Sequence, residues 1–438
     1  MTRVKHISLL VILVVLFLPM IQKPFPLVNI ESIKGSFIPA EEPELTLSSY
    51  LNGAFQEKYN TYLEQNIGFR PLLVRINNQI NFSFFNMTNA NYVVVGKNNY
   101  LYEENYINAY LGHDFLGREK WEEKIRKIVF VGEELKKRKI DLVFILAPGK
   151  ATFFPEYIPD EYNTNNKSVS NHEYLLKAFE REGINYIDFN TWFSLMKDTA
   201  TYPLYPQCGI HWSAYGVALA IDSIKGFVES LKGKKMIKFG WNGFDFPDTL
   251  RSPDYDIAEG MNLFFTIPHY KMAYPILYFR EDSLTYKPNV LTIADSYYWN
   301  LFGPGISQRF YSHESFWYYS KVAYSKEYPS GVDVEGLNLK EEIEKQDVVF
   351  ILATEANLYK LAYGFIDSVY DLYSNGSLAN NEESRIQQIE NVIRADSAWY
   401  QRVKEKAKKR DISVDEMIRF DALWMLQKKD SIKRGENE

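Results

Sequence analysis

Two short stretches carry the residues able to do chemistry. In the first, Tyr205 to Gly216, His211 follows a Pro/Gln/Cys/Gly run and precedes Trp212 and Ser213. An imidazole titrates near neutral pH and can take a proton from a hydroxyl nucleophile. In the second, Val290 to Tyr297, an apolar run ends in Ala294, Asp295 and Ser296. A serine hydroxyl is a poor nucleophile until a base removes its proton. Ser296 as nucleophile and His211 as base is the strongest pairing in the chain. Backbone N–H groups of the turn after Ser296 would be the oxyanion donors. The competing reading is a structural serine and a hydrogen-bonded loop histidine. Cys208, the one cysteine, is either a second nucleophile or a small buried filler. It can form no intramolecular disulfide, so cysteine usage leaves the compartment open.

The elements that must position these residues read as α/β. Ile140 to Pro148 is apolar without a break from Leu142 to Ala147, as in a strand covered on both faces. Ile184–Phe189, Val290–Ala294 and Asp347–Ala353 read as further strands. Helical patterns over 118–138, 174–182 and 214–231 separate them. Alternating strands and helices argue for a parallel sheet with right-handed crossovers. Sites in such sheets gather at the carboxyl ends of the strands. There stand Pro148 to Lys150, Asp295 with Ser296, and Thr354 with Glu355. Residues 236–285, rich in Asp, Pro and Tyr, read as an irregular insertion.

At the N-terminus, Arg3, Lys5 and His6 precede the apolar run Ile7–Ile21. Residues 1–22 therefore read as an uncleaved signal anchor, with the body outside the cytoplasm. Residues 23–45 read as a linker, 46–378 as the main domain, and 379–438 as a helical appendage whose Ser413–Glu416 spacing fits a capping box. A net charge of −6 gives no sign of nucleic-acid binding. The 16% aromatic content fits either a tyrosine-rich core or a groove that stacks on sugar rings. His113, His172, His269 and His313 lack metal-ligand spacing. No phosphate-binding glycine motif is present. Neither a metal nor a cofactor is expected.

Several motifs in fixed order resemble one family. Ser296 in Ile-Ala-Asp-Ser-Tyr, His211 in Gly-Ile-His-Trp-Ser-x-Tyr-Gly, and Pro148-x-Lys150 with Phe154, Pro155, Glu156 and Tyr157 are similar to the SGNH hydrolase-like domain of alginate O-acetylation proteins of the AlgX/AlgJ type. Asn66-x-Gly-Phe-Arg70 and Val95-Gly96-Lys97 followed by Tyr100-Leu-Tyr102 resemble the approach to that domain. The resemblance spans roughly residues 45–370. It implies a three-layer SGNH-like fold and an extracytoplasmic O-acetyltransferase or acetylesterase acting on a cell-surface polysaccharide. Ser296 would carry the acyl group, His211 would be its base, and a membrane acyltransferase partner would supply the donor. The body would lie in the periplasm, held to the inner membrane.

The resemblance also leads one to expect an aspartate two residues before the histidine, where this chain has Gly209. Glu355 and Asp295 are the candidate substitute acids. Lys150, Arg70 and Trp212 are candidate substrate contacts. Loss of the acid would leave a binding or scaffolding module of a polysaccharide assembly complex as the alternative function.

Overall fold

The computed structural model describes residues 2–35, 39–374, 382–410 and 412–433. In chain order the strands are β1 (Val93–Val95), β2 (Leu101–Glu103), β3 (Asp141–Ala147), β4 (Tyr186–Asp188), β5 (Lys238–Asp245), β6 (Tyr274–Arg280), β7 (Asn289–Ala294), β8 (His313–Tyr318), β9 (Val322–Tyr324), β10 (Val332–Asp333) and β11 (Val348–Thr354). Seven of them form one sheet in the order β10-β9-β8-β7-β11-β3-β4. From β8 to β4 neighbouring strands run parallel, while β9 runs against β8 and β10 against β9. The sheet is thus mixed, not wholly parallel: the aromatic strand β8 extends it and the short β9 and β10 close its edge.

Alternate residues of each central strand enter two separate cores. Val143, Ile145, Ala147, Phe350 and Leu352 face one; Leu142, Phe144, Leu146, Val349 and Ile351 face the other. Both faces are therefore covered, which explains the unbroken apolar runs. Each buried aliphatic side chain contributes about 1.5–3 kcal/mol of burial energy. Helix Ala214–Lys232 covers the first face through Val217, Ala220, Ile221, Ile224 and Val228. Helix Arg118–Lys137 covers the second through Trp121, Ile125, Ile128, Val131 and Leu135, a 4-3-3-4 spacing that keeps one stripe inward. The result is the three-layer SGNH-like α/β arrangement. Among its features are an apolar N-terminal helix and a helical C-terminal region.

The register aligns the sites. Leu352 pairs with Ala294 and Thr354 with Ala147, so the loops after β3, β7 and β11 emerge side by side. Residues 236–285 are not irregular: β5 and β6 pair antiparallel across them, with a bulge between Trp241 and Phe244. Between these strands lies the short helix Asp256–Gly260.

At the N-terminus, helix Thr2–Gln22 contains a stretch, Val4–Gln22, long and apolar enough to cross a membrane and unburied except at Gln22. After the linker come two helices, Leu47–Leu51 and Ala54–Asn66, broken at Gly53, whose φ of 83° is left-handed. In the tail, helices Glu382–Ala395, Ser397–Arg410 and Val414–Lys433 pack on one another around Ile386, Ile393, Val403, Met417 and Ile418. The Ser413–Glu416 capping box forms: Ser413 Oγ accepts from the Glu416 N–H at 3.2 Å, and Glu416 Oε2 from the Ser413 N–H at 2.9 Å.

Candidate active site

Ser296 opens the helical turn that follows β7. Its Oγ lies 3.1 Å from His211 Nε2. His211 stands just before helix Ala214–Lys232, whose first residues are capped by Ser213. The Ser213 hydroxyl accepts from the Gly216 N–H at 3.0 Å and donates to the Pro203 carbonyl at 2.7 Å. The helix start therefore fixes the loop that carries the imidazole.

On the other side of the ring, His211 Nδ1 is 2.7 Å from Asp256 Oδ2. An ionised carboxylate only accepts, so Nδ1 carries the proton and Nε2 presents its lone pair to Ser296; the tautomer is assigned from this network. Asp256 Oδ1 accepts from the N–H groups of Ile210 and Ile257 at 2.9 and 2.8 Å. One carboxylate thus holds both the ring and the backbone beside it. The His211 and Asp256 side chains retain 15% and 28% of their exposure, so the centre is half-buried yet open to a substrate. Ser296, His211 and Asp256 have the connectivity of a nucleophile, a base and an orienting acid.

Asp256 comes from the 236–285 insertion, and neither expected substitute acid reaches His211. Asp295 is fully buried. It accepts from the N–H groups of Tyr297 and Thr354, from Asn357 Nδ2 and from the Tyr363 hydroxyl, at 2.8–3.2 Å. It ties the ends of β7 and β11 together and points away from the imidazole. Glu355 is buried beneath the loop after β3, where the Thr152 hydroxyl donates to it at 2.5 Å. Gly149 leaves it room, because a Cβ there would stand 2.0 Å from its carboxyl oxygen. Burial pushes the Glu355 carboxyl above its ordinary range.

Two of the expected substrate contacts are interior instead. The Lys150 side chain is fully buried. Its ammonium donates to the carbonyls of Gln207 and Gly209 at 2.8 and 2.5 Å, clamping the loop that ends in His211. Burial pulls its pKa down to about 7, opposed by the nearby carboxylates of Asp256 and Glu103. Trp212 is likewise fully buried, packed edgewise on Phe189 and tilted against Tyr297. Arg70 begins the N-terminal helix Arg70–Phe85, and no hydrogen bond joins it to Ser296, His211 or Asp256. Cys208 is buried, and burial pushes its thiol up to about 11, so no thiolate is available at neutral pH.

Much of the aromatic content lies in the core around the site. The Tyr297 hydroxyl donates to the Ile210 carbonyl at 2.5 Å and the Tyr205 hydroxyl to the Pro148 carbonyl at 2.6 Å, with the two hydroxyl oxygens 2.9 Å apart. These tyrosines knit the loops after β3 and β7 to the histidine loop. Two further acids were hidden in the sequence. Glu103, at the end of β2, is near enough to Asp256, His211 and Lys150 to feel their charges, and burial raises its pKa. Asp254 is buried, accepts from the Tyr274 hydroxyl at 2.7 Å, and is pushed up to about 7 by burial. Among the described residues no group of three His, Cys, Asp or Glu side chains could hold a metal ion.

Residues 93–238 match the family described as an SGNH hydrolase-like domain of the acetyltransferase AlgX. Solved structures similar to this chain include AlgX of Pseudomonas aeruginosa, at 14% identity and TM-score 0.41, covering 63% of this chain and 67% of that one. The O-acetyltransferase domain of Pseudomonas putida AlgJ is similar at 12% identity and TM-score 0.40, covering 64% and 98%. Bacillus cereus PatB1 is similar at 12% identity and TM-score 0.34, covering 56% and 92%. No curated protein sequence matches the chain. The matched segment contains β1 to β4 and His211, and in it the chain is similar to the SGNH hydrolase-like domain of the acetyltransferase AlgX.

Proposed function

We propose that this chain is a serine-dependent O-acetyltransferase that esterifies hydroxyls of a cell-surface polysaccharide, working outside the cytoplasm from an N-terminal membrane anchor. The observation that carries the reading is the relay Asp256–His211–Ser296, with contacts of 2.7 and 3.1 Å. The match of residues 93–238 to an acetyltransferase family supports the reaction class. The stretch Val4–Gln22 supports the anchor.

The mechanism is ping-pong. His211 Nε2 takes the Ser296 proton as Oγ attacks the donor's acyl carbon, and Asp256 stabilises the imidazolium that forms. Backbone N–H groups at the start of the turn after β7 hold the oxyanion. The leaving group takes the proton back from His211. A sugar hydroxyl then gives its proton to His211 and attacks the acyl-Ser296, releasing the ester and free serine. Water in place of the sugar makes the same centre an acetylesterase. The donor reaches Ser296 from a membrane acyltransferase partner. The binding-only alternative drew its support from Gly209, and the carboxylate at Asp256 removes that support.

The test is covalent. The full chain, treated with a sulfonyl fluoride or an activated acetyl ester, is digested and its peptides weighed. The reading expects one adduct, on Ser296, absent in Ser296→Ala and strongly slowed in His211→Ala. An unmodified Ser296 under conditions that label a control serine esterase would refute it.

A further inference from the structure

We propose that helix Arg70–Phe85 lies in the lipid–water interface with its apolar face toward the acyl chains, a second membrane contact beside the N-terminal span. The inference rests on the membrane anchor of the proposed function.

Three polar side chains of the helix bond to the rest of the protein, while Asn77 and Ser83 are exposed. Asn78, 8% exposed, donates from Nδ2 to the Met261 carbonyl at 2.7 Å. Gln79 Oε1 accepts from the N–H groups of Phe264 and Phe265, both at 3.1 Å. The Arg75 guanidinium donates to the carbonyls of Glu31 and Ser32 at 2.8 and 2.9 Å. Four apolar side chains face outward, Leu73, Ile76, Ile80 and Phe84 being 50%, 41%, 45% and 77% exposed, while Phe82 packs against the core. The 3-4-4 spacing of the four lays them in one stripe along the helix. Phe265, held alongside by Gln79, is 74% exposed. A soluble surface rarely presents such a contiguous patch without a partner.

Continuity with the span points to lipid as the occupant. Gly68 packs on the end of the N-terminal helix: a Cβ on it would stand 2.3 Å from the Pro19 carbonyl oxygen and 2.7 Å from Gln22 Cβ. Lys23 donates to Asn66 Oδ1 at 3.0 Å. Helix Arg70–Phe85 therefore begins where the span leaves the bilayer, the level at which an amphipathic helix with large apolar side chains settles in the interface. The arrangement reaches the candidate active site. Met261, which accepts from Asn78, follows directly on the helix that carries Asp256, and Asn262 exchanges hydrogen bonds with the backbone of Lys34 at 2.7 and 3.0 Å. The element bearing the acid is stapled to the membrane-proximal segments, which sets the site at a fixed height above the bilayer.

The test uses the full chain in vesicles of phosphatidylethanolamine and phosphatidylglycerol. Buried Cys208 escapes labelling, so Phe84→Cys and, as an aqueous reference, Lys326→Cys each accept one environment-sensitive fluorophore. Brominated lipid is expected to quench the label at position 84 several-fold more than that at 326. Replacing Ile76 and Ile80 with Ser is expected to abolish the difference. A chain that floats with the vesicles while its label at 84 responds only to aqueous iodide overturns this inference and leaves the anchor standing. A label shielded from iodide but untouched by bromine places protein, not lipid, on the helix and also overturns it. A chain that does not float overturns the anchor and this inference together. None of these readouts depends on acyl transfer, so the catalytic reading stands or falls separately.

Discussion

Gly209 and Pro253 are in backbone contact: a Cβ on Gly209 would stand 2.6 Å from the Pro253 carbonyl oxygen and 2.8 Å from the Asp254 carbonyl carbon. The place where the resemblance leads one to expect an aspartate is filled by the segment that delivers Asp256. The absent side chain leaves the room that the segment carrying the acid occupies. Backbone cannot yield as a flexible side chain can, so Gly209→Ala is expected to lower the unfolding free energy by about 1–3 kcal/mol. Gly209→Asp is expected to lower ester hydrolysis, not raise it. Chemical denaturation and a model-ester assay check both.

Asp256→Asn should keep the fold and lose the chemistry. The amide oxygen can still accept from Ile210 and Ile257, but its N–H groups face His211 Nδ1. The ring must then protonate at Nε2 and cannot take the Ser296 proton. A loss of about 10⁴-fold in kcat is the expected scale for a wrong tautomer. Steady-state kinetics with a circular-dichroism control measures it.

Lys150 is expected to show itself through pH. Its folded pKa is lowered to about 7 from the ordinary lysine value of 10.5, so between these values the unfolded chain binds the extra proton. Its contribution to stability is present above 10.5 and is lost as pH falls through 7. Wild type should therefore gain on Lys150→Met as pH rises from 7 to 10. Lys150→Met also leaves the carbonyls of Gln207 and Gly209 without their donor, costing about 1–3 kcal/mol at any pH. Urea titrations of both proteins across that range test the slope.

Asp254 has the opposite sign. Its folded pKa is raised to about 7 from 3.8, so the folded chain binds the extra proton between them. Its contribution is full below 3.8 and is lost as pH rises through 7. Asp254→Asn keeps an acceptor for the Tyr274 hydroxyl and cannot ionise. The variant should therefore gain on wild type between pH 5 and 8 in the same titrations.

Ser296 and His211 were legible because each sits beside a strong local signal: an unbroken apolar strand for one, a capped helix start for the other. Asp256 was not. It lies among Pro and Tyr without periodicity, and only the pairing of β5 with β6, which is non-local, brings it to the ring. Strand β8 escaped because aromatic residues on both faces hide the two-residue alternation of a strand, and β9 and β10 are too short to show one. Lys150 and Trp212 misled because residue type does not reveal burial. A lysine and a tryptophan beside a site suggest ligand contacts, yet here one clamps a loop and the other fills the core. Asp295 and Glu355 stand where acids should, at strand ends, but their side chains turn into the sheet's own end.

The central claim is that Ser296 is activated by His211 and Asp256. The most direct measurement is hydrolysis of 4-nitrophenyl acetate by the full chain, wild type beside Ser296→Ala, His211→Ala and Asp256→Asn. The account predicts that Ser296→Ala and His211→Ala fall to the uncatalysed background and that Asp256→Asn falls nearly as far. A Ser296→Ala protein that turns over the ester at the wild-type rate would contradict it.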